Sequence, residues 1–123
     1  MSMQLDATYP LYIQIMDEIK KRAVRGQYLP NGKLPSVRQL AIEMEVNPNT
    51  IARAYMELER EGFIFTRRGN GSFVTETPAR VDEERKRLAD EAVKRFVKEI
   101  RDLNLNNNKE ILDSIAKQFS QSE

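Results

Sequence analysis

The stretch Leu34-Pro35-Ser36-Val37-Arg38-Gln39-Leu40-Ala41-Ile42-Glu43-Met44-Glu45-Val46-Asn47-Pro48-Asn49-Thr50-Ile51-Ala52-Arg53-Ala54-Tyr55-Met56-Glu57-Leu58 holds two helix starts separated by a tight turn. The Ser36 hydroxyl is placed to cap the first helix while the Gln39 side chain reaches back, the reciprocal arrangement of a capping box. Val37, Leu40, Ala41 and Met44 supply its apolar stripe. Only Glu45 and Val46 intervene before Asn47, a second cap, and Pro48, whose missing N–H costs nothing at a first helical position. Ile51, Ala54, Tyr55 and Leu58 give the second helix an inner face. Asn49, Arg53 and Met56 fall on the opposite side, with Asn47 and Thr50 in the first turn. Glu45 stands where such turns commonly place a glycine with a left-handed backbone, so strain is expected there.

Downstream, Gly62 is suited to end the second helix in a left-handed conformation. Phe63-Ile64-Phe65-Thr66 and Ser72-Phe73-Val74-Thr75 read as two strands of a hairpin closed by Arg67-Arg68-Gly69-Asn70-Gly71. Upstream, a helix opens at Pro10 and buries Tyr12, Ile15, Met16, Ile19 and Ala23 along one side. It ends near Gly26, and Leu29-Pro30-Asn31-Gly32 carries turn chemistry. The fold class is mainly α with a small β-hairpin: a winged helix-turn-helix over residues 1–76, followed by a helical tail over 77–123.

That order of elements sends the second helix of the pair into the major groove of DNA with its first residues toward base edges. Asn49 and Arg53 carry the groups that pair with adenine and guanine, while Thr50 and unpaired backbone N–H groups at the helix start suit a phosphate. Arg67, Arg68, Gly69 and Asn70 at the hairpin tip are placed to reach a neighbouring groove or the backbone, and Arg38 adds a cation beside the recognition helix. Two arginines on a hairpin tip can also serve solubility alone, and Asn47 and Pro48 are explained as cap and first turn. For Arg38 an ion pair within its own helix is disfavoured, because Ala41 and Ile42 occupy the facing positions. Tyr55, Phe63, Phe65, Phe73 and Phe96 read as core.

Leu34 to Ala41, Val46 to Ile51, Leu58-Glu59-Arg60-Glu61-Gly62 and Arg68 to Val74 together resemble the GntR family of bacterial regulators. The short tail and the Asn-Pro-Asn-Thr wording are similar to its YtrA-type branch. The resemblance covers roughly residues 9 to 76. It implies a repressor that binds an inverted-repeat operator as a dimer, with Arg38, Asn47, Asn49, Thr50, Arg53, Arg68 and Gly69 at the DNA. Ala52 departs from the pattern, standing where many relatives carry a DNA-contacting arginine; Arg53, one step round the helix, is the candidate to take over part of that role.

In the tail, Leu88, Ala92, Phe96, Ile100 and Leu103 recur at helical spacing, widened by Ala89, Val93 and Val97. After an asparagine-rich break, Asn107 and Glu110 resemble another capping box, and Ile111, Leu112, Ile115 and Phe119 form a second apolar face. Two helices cannot cover both faces, so the tail is expected to pack against its copy in a homodimer. Asp82, Glu83, Glu84, Asp90 and Glu91 are expected to decorate the solvated side.

Composition bounds the remaining possibilities. The chain has 123 residues, no cysteine and no histidine, which removes disulfides, thiolate metal sites and the commonest catalytic base. No nucleophile and base pair, glycine-rich nucleotide loop or metal cluster occurs, so neither an enzyme nor a cofactor is expected. A basic leader and any long apolar run are both missing, and a cytoplasmic protein without membrane contact is expected. The net charge of +1 is low for a partner of double-stranded DNA, so a basic surface must be local, and a winged-helix protein-interaction module stands as the alternative. The tail on its own is too small to enclose a typical pocket of about 300 Å³ or more, so a small-molecule effector, whose existence the sequence leaves open, could still bind between subunits.

Overall fold

The computed structural model describes residues 8–121; residues 1–7 of the expected DNA-binding region lie outside them. The elements run α1 (Leu11–Val24), α2 (Val37–Met44), α3 (Pro48–Arg60), β1 (Ile64–Arg67), β2 (Gly71–Val74), α4 (Pro78–Asp102) and α5 (Asn108–Gln121). This is the winged helix-turn-helix with helical tail that the sequence announces. Contacts divide the chain into two compact units, one ending at Leu88 and one beginning at Ala89, so the division falls inside α4.

In the first unit, α1, α2 and α3 converge on Ile15, Ile19, Leu40, Ile51 and Leu58, all at 0% exposure. Each such side chain contributes about 2 kcal/mol through removal of apolar surface from water. The capping box at Ser36 forms in both directions, with Gln39 N–H donating to Ser36 Oγ at 3.1 Å and Ser36 N–H donating to Gln39 Oε1 at 2.9 Å. Pro10 caps α1 rather than opening it, because its ψ of 140° is extended.

β1 and β2 pair antiparallel, with Phe65 opposite Phe73 and Arg67 opposite Gly71. The segment read as a plain turn also joins this sheet. Leu34 N–H donates to the Ser72 carbonyl at 2.8 Å and Val74 N–H to the Gly32 carbonyl at 2.9 Å, so residues 32–34 line the second edge of β2. Gly32 is required there: a β-carbon would come within 2.7 Å of the Leu29 carbonyl oxygen.

The first turns of α4 pack into this unit through Val81 and Glu84, both 5% exposed. Glu84 therefore departs from the expected solvated face. It receives Arg80 Nη1 at 2.9 Å, Arg87 Nε at 2.7 Å and Lys20 Nζ at 3.4 Å, while Lys20 also reaches Glu61 at 2.7 Å. Burial alone would raise the Glu84 carboxyl, but the hydrogen bonds from Arg87 and Arg80, with Lys20 alongside, hold it below its ordinary value.

In the second unit, α4 and α5 are joined through Asn104, whose φ is +56°. Glu110 N–H donates to Asn107 Oδ1, but the return bond runs from the Asn107 side-chain amide rather than its backbone, so only half of the expected capping box forms. The two helices flank an open apolar cleft of about 850 Å³ lined by residues including Phe96, Ile100, Ile115 and Phe119. The cleft is open on one side, so it is a surface between the two helices rather than an enclosed pocket. Leu103, Leu112 and Phe119 are exposed, Leu88, Ile100 and Ile115 half-buried, and Ala92 and Phe96 exposed. Phe96 is thus not a core residue of this chain.

Candidate nucleic-acid interface

The α2–α3 turn is set by backbone geometry. Glu45 is left-handed, with φ +58° and ψ +46°. Val46 N–H closes the end of α2 on the Ala41 carbonyl at 3.0 Å, and the Asn47 side chain accepts Asn49 N–H at 2.8 Å to start α3. Behind α3, Ile51, Ala54, Tyr55 and Leu58 are buried. Tyr55 Oη donates to the Pro35 carbonyl at 2.6 Å, tying α3 to the residue before the cap of α2. Burial pushes that phenol up, so it stays a donor throughout the working pH range.

On the outer side of α3, Asn47, Asn49, Arg53 and Met56 are exposed and Thr50 is half-buried. The backbone donors expected to await a phosphate are already engaged: Asn49 N–H is held by the Asn47 side chain, Thr50 N–H donates to the Asn47 carbonyl at 3.0 Å, and Pro48 has none. Anion contact at this helix start accordingly falls to side chains. Arg38 is exposed and makes no ion pair among the described residues.

The hairpin tip separates its two arginines. The Arg67 guanidinium lies over the rings of Phe65 and Phe73, at 5.3 and 5.6 Å from their centroids. Those rings stack with centroids 5.6 Å apart and are half-buried, so they form the outer face of the wing rather than the core assigned from sequence. Arg68, Gly69 and Asn70 are exposed at the tip, and Arg68 has no ion-pair partner among the described residues. Glu59 anchors the wing to α3 by accepting Thr66 N–H at 3.0 Å.

Three features escape a reading of residue types. Tyr12, read only as part of an apolar stripe, carries the Arg53 guanidinium 3.9 Å above its ring. Lys33 runs beside the wing, its Cε 3.1 Å from where a β-carbon on Gly71 would sit. The buried Lys20 and Glu84 did leave a signal, since Met16, Ile19, Lys20 and Ala23 share the spacing of one apolar stripe and Glu84 lies three residues after Val81. The acids Glu57, Glu59 and Glu61 that precede the wing are occupied by Arg60, the Thr66 backbone and Lys20.

Among the described residues no group of side chains is arranged to hold a metal ion, and no helix is long and apolar enough to cross a membrane.

Comparison with known proteins agrees with this geometry. The profile described as "Bacterial regulatory proteins, gntR family" matches residues 11–74. The chain is 46% identical over 115 residues to the HTH-type transcriptional regulator YhcF of Bacillus subtilis, covering 94% of each protein. It is 49% identical over 67 residues to the HTH-type transcriptional repressor YtrA of the same organism, covering 54% of this chain and 52% of that one. Its fold matches a GntR family transcriptional regulator from Listeria monocytogenes with a TM-score of 0.80 and 38% identity, covering 92% of this chain and 98% of that one. The DNA-binding domain of AraR, solved with operator ORX1, matches with a TM-score of 0.53 and 29% identity over 61% of this chain and 92% of that one. The chain therefore belongs to the GntR family of DNA-binding transcriptional regulators.

Proposed function

We propose that the protein is a homodimeric repressor that binds an inverted-repeat operator, reading bases with Asn49 and Arg53 and gripping phosphates with Arg38, Thr50 and Arg68. The observation that carries this reading is the two-sided character of α3: its back is buried in the core while its polar front is exposed. Residues 1–76 act as the DNA-binding part and 77–123 as the dimerisation tail, with the first turns of α4 held by the winged helix. Apposed tails would place two recognition helices about 34 Å apart, one turn of DNA, or a small multiple of that. The repressor assignment follows the likeness to the HTH-type transcriptional repressor YtrA of Bacillus subtilis.

Selection of bound sequences from random duplex DNA, followed by titration in salt, tests the proposal. An enriched inverted repeat is expected, with affinity falling linearly in log salt at about 0.9 per neutralised phosphate. A flat salt response with no enriched sequence would favour the protein-interaction module that the near-neutral charge allows. In the selected site, Arg53→Ala is expected to cost about 1 to 3 kcal/mol and to relax preference at one base pair.

A further inference from the structure

We infer that Tyr12 of α1 is a specificity-determining positioning residue, which orients the Arg53 guanidinium for base readout without itself touching a base. The inference rests on the assignment of Arg53 to the DNA-facing side of α3. Arg53 is exposed, and its guanidinium lies 3.9 Å from the Tyr12 ring centroid, close enough for face contact. No carboxylate competes for it among the described residues. A guanidinium lying over a ring uses its flat face, and its N–H donors, which lie in the plane, stay available for a bidentate partner.

Tyr12 is itself fixed. It is half-buried against the core formed by α1 and α3, so the ring is a rigid platform rather than a second mobile side chain. An unsupported arginine on a helix surface samples many rotamers, and much of its contact energy goes into stopping that motion. The platform removes part of that cost before DNA arrives. Ala52, beside it, offers no donor, so readout from this part of the helix depends on how Arg53 is held.

The experiment measures affinity of the full-length protein for the duplex selected by the unaltered protein, and for single-base variants of that duplex. Tyr12→Leu is expected to weaken binding to the selected duplex about three- to tenfold, from loss of the cation–π contact. Discrimination should fall at the same base pair that Arg53→Ala affects. Tyr12→Phe keeps the ring and should rescue both quantities. In an Arg53→Ala background, Tyr12→Leu should add nothing further.

Equal losses from Tyr12→Leu with and without Arg53 would overturn the inference while leaving Arg53 as a base reader. No loss of discrimination from Arg53→Ala would overturn both. If Tyr12→Leu melts early, Tyr12→Met decides, since it keeps apolar bulk against the core but removes the ring face beneath Arg53. Binding to random DNA should then persist while discrimination at that base pair is lost; retained discrimination would overturn the inference.

Discussion

Glu45 carries the sharpest local conflict in the chain, a side chain held at φ +58° where a glycine would carry no penalty. The turn needs that backbone to bring α2 and α3 together, so the strain is tolerated. Glu45→Gly is expected to raise stability by about 1 kcal/mol, read as a higher midpoint in a thermal melt. Glu84 makes the opposite case, a charge that burial would penalise but three cations retain. Because its carboxyl is held below the ordinary value of 4.5, its contribution to stability is complete above that pH. It is lost as pH falls through the lowered value. Glu84→Gln should therefore cost about 3 kcal/mol near neutrality, the effect of breaking a buried ion pair. Its melting midpoint should converge on that of the unaltered protein only once the pH lies below that lowered value. A gap that stayed constant on acidification would count against the ion-pair account.

Among the elements, α2 and α3 were the most legible in sequence, because Ser36, Gln39, Asn47 and Pro48 dictate caps by local chemistry alone. The wing was legible as a hairpin, but the pairing of residues 32–34 with β2 was not, since an edge contact between distant segments leaves no periodic trace. Exposure of Asn49, Arg53 and Arg38 followed from helix period. The ring beneath Arg53 did not, because Tyr12 reads as an ordinary stripe residue until α1 is placed against α3. The wing should act as a non-specific clamp. Arg68→Ala is expected to leave the melting midpoint unchanged and to lower affinity for all sequences alike, with the salt slope reduced by about 0.9. A change confined to one base pair would instead make Arg68 a reader of sequence.

At the scale of the whole molecule, the chain presents two surfaces of different character, the polar front of α3 in the first unit and the apolar cleft between α4 and α5 in the second. In the proposed homodimer, a second copy of the chain would cover this exposed apolar cleft. Ile100→Glu in the full-length protein should shift sedimentation toward the monomer and weaken binding to an inverted repeat more than to a single half-site. Equal weakening on both would separate the tail from dimeric binding. The decisive measurement maps backbone amide shifts of the full-length protein as the selected duplex is added. The largest changes are expected at Asn49, Thr50, Arg53, Arg38 and the wing tip around Arg68. Changes restricted to α4 and α5, with α3 silent, would contradict DNA binding through α3.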